Sequence, residues 1–163
     1  MPNRIYWIGE FSGSKIGIMA RPRGNEWLVH EIDHFKKQNV NVIVSLLEND
    51  EIIELGLEKE PELCTQAGII FLHFPVKDRS VPDSFHRTSQ FILSTADLLS
   101  SGLNLVFHCR MGIGRSSIMA AALLIKKGEK VDRIIPCISA IRGLKVPDTV
   151  EQVSWLEQLE GRI

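Results

Sequence analysis

Cysteine is scarce in this chain. Its 163 residues hold three, Cys64, Cys109 and Cys137. That odd number, without metal-ligand spacing, argues against a disulfide framework and suits a reducing cytosol. Apolar runs long enough to span a bilayer are missing, and the opening MPNRIYWIGEF lacks the apolar stretch of a secretory signal. A cytoplasmic location without membrane attachment is therefore expected. Neither charge sign is in excess: 19 Lys and Arg against 20 Asp and Glu leave a net charge of −1. No broad basic face announces nucleic acid. Internal repeats, linkers and low-complexity segments are lacking too. What remains suits one domain over residues 1–163, able to bury about two-thirds of its unfolded surface and expected as a monomer.

Taken in order, Arg4 to Gly9 and Ile16 to Ala20 read as two strands joined by a Ser12-Gly13-Ser14 turn. Asn25 is placed to cap a helix from Glu26 to about Gln38, with Leu28, Ile32 and Phe35 on one stripe. Val40 to Leu47 is a buried β-branched strand. Glu48-Asn49-Asp50 opens a short helical segment, and Glu58 to Ala67 is a second one closed by Gly68. Ile69 to Phe74 is the next strand, Pro75 to Asp83 a loop, and Ser84 caps a helix reaching Ser101. Val131 to Arg142 is helical despite Pro136, which removes one backbone bond. Asp148 to Glu160 closes the chain with Val150, Val153, Leu156 and Leu159 as its buried stripe. Strands alternating with helices predict an α/β sandwich around a mostly parallel sheet. Ligands in such folds sit at the carboxyl ends of the strands, which brings Glu48, Asp78 and Cys109 to one edge.

The stretch Leu103 to Ala120, LNLVFHCRMGIGRSSIMA, concentrates the chemistry. A short apolar strand ends in His108-Cys109, crosses a loop with Gly112 and Gly114, and meets Arg115-Ser116 at the head of an apolar helix. Loop amides and a helix N-terminus converging on one spot form an anion cradle. Such a cradle favours the thiolate of a cysteine at its mouth. Arg115 supplies a planar fork matched to two phosphate oxygens, and the glycines let backbone amides turn inward. Nucleophile, cradle and charge clamp together make a phosphoryl-transfer site.

His108-Cys109, five residues and then Arg115-Ser116 resembles the signature loop of the cysteine-dependent dual-specificity protein phosphatases. The similarity points to their small single-domain branch, of the kinase-associated and bacterial type, and extends over nearly the whole chain. It implies a five-stranded sheet ordered 1-2-5-3-4, with phosphate or a similar oxyanion held by Arg110, Met111, Gly112, Ile113, Gly114 and Arg115. It also implies attack by Cys109 through a phosphocysteine, with Ser116 donating to the sulfur, and no metal or cofactor. A leaving oxygen needs a proton, and two carboxyls lie on the Pro75–Asp83 loop. Asp78 matches the family's general acid, whereas Asp83 reads as a helix start. Gln152 matches a position where relatives carry a glutamine that orients the hydrolytic water; the alternative is an exposed helical glutamine. Glu48 has two readings, holding the Arg115 fork or capping the helix that follows. His108 is expected to orient the loop through backbone hydrogen bonds. The loop carries none of the extra lysines of relatives that act on inositol lipids, so a phosphorylated protein is the expected substrate. The long insert that deepens the pocket of tyrosine-specific relatives is also missing.

The other reactive side chains receive plainer readings. His30 and His34 lie four apart on a helix without a third ligand, as a polar edge. His73 reads as a core histidine and His86 as a surface one. Cys64 and Cys137 read as small buried apolar residues, and Trp27 and Trp155 as core. Arg21, Arg23 and Arg79 sit on loops expected to reach the same edge, as substrate contacts or as solvated charges. Three other uses of such a loop stay open: a phosphorylated small molecule or RNA end as substrate, phosphate binding without turnover, and sulfur transfer or arsenate reduction.

Overall fold

The computed structural model describes residues 2–162, so Met1 and Ile163 of the expected domain lie outside it. A hairpin of β1 (Tyr6–Phe11) and β2 (Ser14–Met19) is followed by a single helical turn over Asn25–Trp27 and by α1 (Leu28–Lys37). Then come β3 (Val42–Ser45), α2 (Asn49–Glu54), α3 (Glu60–Gln66) and β4 (Ile70–His73). The chain continues through α4 (Phe85–Ser100), β5 (Leu105–His108), α5 (Arg115–Lys127), α6 (Val131–Arg142) and α7 (Val150–Glu160). The sheet order is β1-β2-β5-β3-β4. β1 and β2 pair antiparallel, and every other pair is parallel. Both the α/β class and the expected strand order hold.

Alternation of side chains across the pleat divides the core. Val42, Val44, Leu105 and Phe107 face a layer that includes α5 residues Ile118 to Ile125. Ile43 and Val106 face Leu28, Ile32, Phe35 and Cys64 on the opposite side. Covered on both faces, β3 and β5 are buried along their whole length, which is why each is apolar up to the Ser45 or His108 that closes it. The central strand β5 is thereby held rigid where it delivers His108 and Cys109.

Several expectations are corrected at the periphery. Trp27 is 51% exposed, with the Arg23 guanidinium 4.9 Å from its ring centroid. Val150, the first residue of α7, is 82% exposed. The buried positions of that helix are Gln152, Leu156 and Leu159. Cys137 is exposed while Cys64 is buried. His73 lies on the edge strand β4, exposed rather than in the core, with Nε2 2.7 Å from the Leu47 carbonyl. Asn25 does not cap α1; it sits in the helical turn at φ 53°, its amide donating to the Gly56 carbonyl. At α4 it is Ser84 that caps, its Oγ accepting from the Arg87 amide, while Asp83 is exposed.

Candidate active site

Cys109 follows β5 directly, and its sulfur is buried beneath the loop that leads to α5. Two donors point at it: the Ser116 hydroxyl at 2.9 Å and the Gly112 amide at 3.3 Å. Gly112 has φ 70°, a conformation that side chains resist. Added bulk there would lie 2.6 Å from the backbone at Met19 and Ala20. The loop therefore closes against β2 only with glycine at this point. Ile113 packs its side chain against the main core, leaving its backbone for the loop.

Arg115 is buried at the head of α5. Its Nη1 donates to Glu51 Oε1 at 2.7 Å and to the Val76 carbonyl at 2.9 Å; its Nη2 donates to Glu51 Oε2 at 3.0 Å. Asp78 Oδ1 lies 3.1 Å from the same Nη2. Burial works against the Arg115 charge. Its hydrogen bonds to Glu51 and the electrostatic influence of Cys109, Glu51 and Asp78 outweigh it, so Arg115 holds its proton more tightly than an ordinary arginine. For Glu51, burial pushes the carboxyl up. Arg115, the Glu48 amide and Arg110 overcome that and hold it below its ordinary value.

Glu48 thus occupies the N-cap of α2, its amide donating to Glu51 Oε1 at 3.0 Å. Capping is the correct reading of Glu48, and the carboxylate on the Arg115 fork is Glu51. His108 is buried, Nε2 2.8 Å from Glu60 Oε2 and Nδ1 3.4 Å from the Cys109 carbonyl. Its backbone contact is as expected, and Glu60 is an additional partner.

A cavity of about 130 Å³ opens over the sulfur, lined by Cys109, Arg110, Met111, Gly114, Arg115 and Asp78 together with Arg79 and Asp148. Arg110 is tied sideways to Glu54 at 3.0 Å and Glu51 at 3.4 Å. Arg21 and Arg23 are not among the lining residues. The Arg21 guanidinium donates to the Pro22 carbonyl, and Arg23 pairs with the buried Glu31 at 3.0 Å. Gln152 is fully buried, so the exposed reading fails. Its Oε1 accepts from the amides of Asp148 and Thr149 at 3.0 and 3.2 Å, and its Nε2 donates to the Ser80 carbonyl at 3.0 Å.

Glu51, Glu60 and Asp148 escaped the sequence reading. A signal existed only for Glu51, as the third residue after a helix cap beside the strand end. Among the described residues no group of three or more His, Cys, Asp or Glu side chains is placed to hold a metal ion. None of the described helices is long and apolar enough to cross a membrane. A sulfur under two donors, a buried guanidinium and a carboxyl at the rim can together receive a dianion, attack it and exchange a proton with it.

A family model described as "Polymorphic toxin system, DSP-PTPase phosphatase" matches residues 17–129. Among curated proteins, the chain is similar to cyclin-dependent kinase inhibitor 3 of Rattus norvegicus, 22% identical over 135 residues. That match covers 82% of this chain and 63% of the relative, so the chain spans less than two-thirds of that protein's length. Among solved structures, kinase-associated phosphatase with its catalytic-site cysteine replaced by serine superposes with a TM-score of 0.89. Identity there is 20%, over 99% of this chain and 96% of that one. PTPMT1 in complex with PI(5)P gives 0.76 at 19% identity, over 97% and 95%. At such identities these structures speak for the fold.

Proposed function

Since the chain belongs to the DSP-PTPase phosphatase family, we propose that it hydrolyses phosphate esters on proteins. Phosphotyrosine would be a substrate, and phosphoserine and phosphothreonine would share the site, since the chain lacks the insert that deepens the pocket of tyrosine-specific relatives. The observation that carries the reading is the pair of donors on one buried sulfur, Ser116 Oγ and Gly112 N. Hydrogen bonds of this kind stabilise a thiolate both as nucleophile and as leaving group.

The reaction runs in two steps. Cys109 sulfur bonds to phosphorus as the P–O ester bond breaks, and the leaving oxygen takes a proton from Asp78. Water then attacks the phosphocysteine and gives a proton back to Asp78. The S–P bond breaks, and inorganic phosphate leaves. Arg115 and the amides from Arg110 to Gly114 neutralise the phosphoryl oxygens throughout, which is most of what a loose phosphoryl transition state requires. Gln152, engaged by Asp148, Thr149 and Ser80, holds the acid loop against α7. That contact gives it a positioning task, beside the water-orienting one that the resemblance implies. The absence of lysine between Cys109 and Arg115 favours protein over inositol-lipid substrates, although a neighbour in fold is seen with PI(5)P.

A hydrolysis panel tests the proposal: phosphotyrosine and phosphothreonine peptides and vesicles carrying a phosphoinositide, each with a Cys109→Ser control. Peptide turnover that vanishes in the control is the expected result. Turnover surviving in the control, or found on the vesicles alone, would overturn it.

A further inference from the structure

Arg142 ends α6, and Gly143 turns the chain away immediately after it with φ 81°. The Arg142 guanidinium reaches the outer side of the phosphate loop. Its Nε donates to the Gly112 carbonyl at 3.2 Å and its Nη2 to the Met111 carbonyl at 3.0 Å. The third arm is anchored as well. Nη1 donates to the Tyr6 hydroxyl at 3.2 Å, and the guanidinium carbon lies 4.4 Å from the centroid of the Tyr6 ring. Arg4 packs on that same ring at 4.6 Å. One planar fork therefore grips two consecutive carbonyls, a task that the single ammonium of lysine cannot repeat.

The two carbonyls have a particular connection to the sulfur. The Met111 carbonyl belongs to the same peptide unit as the Gly112 amide, and that amide points at Cys109 Sγ. A charged donor on the oxygen end of a peptide polarises its N–H end, and bonds in such a chain strengthen one another. A cradle whose amides face inward must turn carbonyls outward, and these need partners of their own. We infer that Arg142 is a positioning residue for the oxyanion cradle, fixing the Met111–Gly112 peptide so that its amide stays directed at the Cys109 sulfur. The inference rests on the phosphatase reading of the loop, yet the sulfur reports on it without any turnover.

The experiment compares Arg142→Met and Arg142→Lys with the native chain in two assays. One is steady-state hydrolysis of a phosphotyrosine peptide. The other is the rate at which iodoacetamide alkylates Cys109 at one mildly acidic pH, followed by mass spectrometry with exposed Cys137 as internal reference. In the Met variant kcat/KM should fall roughly tenfold, with KM raised and kcat lowered, because ground and transition states share the cradle. Alkylation of Cys109 should slow several-fold while that of Cys137 stays constant. Lysine keeps the charge without the fork and should lie nearer to methionine than to the native chain. If the Met variant does not fold, Tyr6→Phe removes only the third hydrogen bond and should shift both readouts the same way by less. Native Cys109 alkylation and native kcat/KM in a folded Met variant would overturn the inference. A native chain without phosphatase activity would instead remove the phosphatase reading, and the alkylation ratio would still decide on Arg142.

Discussion

Glu51 grips Arg115 with both carboxylate oxygens, at 2.7 and 3.0 Å, and both side chains are buried. The pair joins the cap of α2 to the head of α5, so the Arg115 fork is held in place by the protein's own groups. Removing one partner of such a pair leaves a buried charge unmatched.

Glu51→Gln should therefore destabilise the fold by about 3 kcal/mol and lower kcat/KM through a disordered Arg115. Chemical denaturation together with peptide hydrolysis would measure both. The pH dependence has a defined sign. The Glu51 carboxyl is held below its ordinary value in the folded chain. Its contribution is thus present above the unfolded carboxylate value of about 4.3, and is lost as pH falls through the lower folded value. The Gln variant should show a shallower loss of stability across that acid window. An unchanged acid profile would remove Glu51 from this account.

Gly112→Ala tests the closure of the loop against β2. The backbone there is left-handed, and an added methyl would meet Met19 and Ala20 backbone that cannot swing aside. Together these should cost about 1–3 kcal/mol and turn the amide away from the sulfur. The expected result is a lowered thermal midpoint and a loss of turnover greater than the loss of folded protein. An alanine variant with native activity would mean that the loop closes in some other way.

Much of this arrangement was legible in the sequence wherever one physical demand dominates. Two-sided burial makes β3 and β5 apolar up to the polar residue that closes each, and the spacing from Cys109 to Ser116 follows from a loop that turns the Gly112 amide and the Ser116 hydroxyl onto one sulfur. Legibility ended where a partner is distant in sequence or where the choice depends on a single position around a helix. Glu48 and Glu51 are alike in composition, and only the helical geometry of α2 turns the second toward Arg115. Val150 fits the apolar stripe of α7, yet it stands at the first turn, beyond the core, while the polar Gln152 goes inside because three backbone groups satisfy its amide. Arg142 acts on carbonyls, which leave no trace in a residue pattern. Trp27 remained outside because it covers the Arg23 guanidinium and not the core.

The three cysteines should separate by environment. Burial, with Glu60 nearby, pushes the Cys64 thiol far up, whereas Cys137 is exposed. Treating the native chain with iodoacetamide should modify Cys109 and Cys137 and spare Cys64, which should react only after unfolding. Peptide mapping by mass spectrometry reads this directly. Early labelling of Cys64 would show that α3 opens readily from the sheet.

Asp78 carries the sharpest separation of roles, because its one carboxyl serves two proposed tasks, an ion pair with Arg115 and a proton for the leaving oxygen. It lies 3.1 Å from Arg115 Nη2 and is half-exposed at the cavity rim. If the Arg115 contact were its whole contribution, Asp78→Asn would slow every substrate by a similar factor, since all need the clamp. If it gives a proton to the leaving oxygen, the loss must follow how badly that oxygen needs one. Alkyl or weakly acidic aryl phosphates should slow by about 10²–10⁴, and an activated nitrophenyl ester should barely change, because its leaving group departs as the anion. A plot of kcat/KM against leaving-group acidity should steepen in the Asn variant. Parallel lines for the two proteins would assign Asp78 to the clamp and leave the proton donor to be sought at Asp148, the other carboxyl lining the cavity.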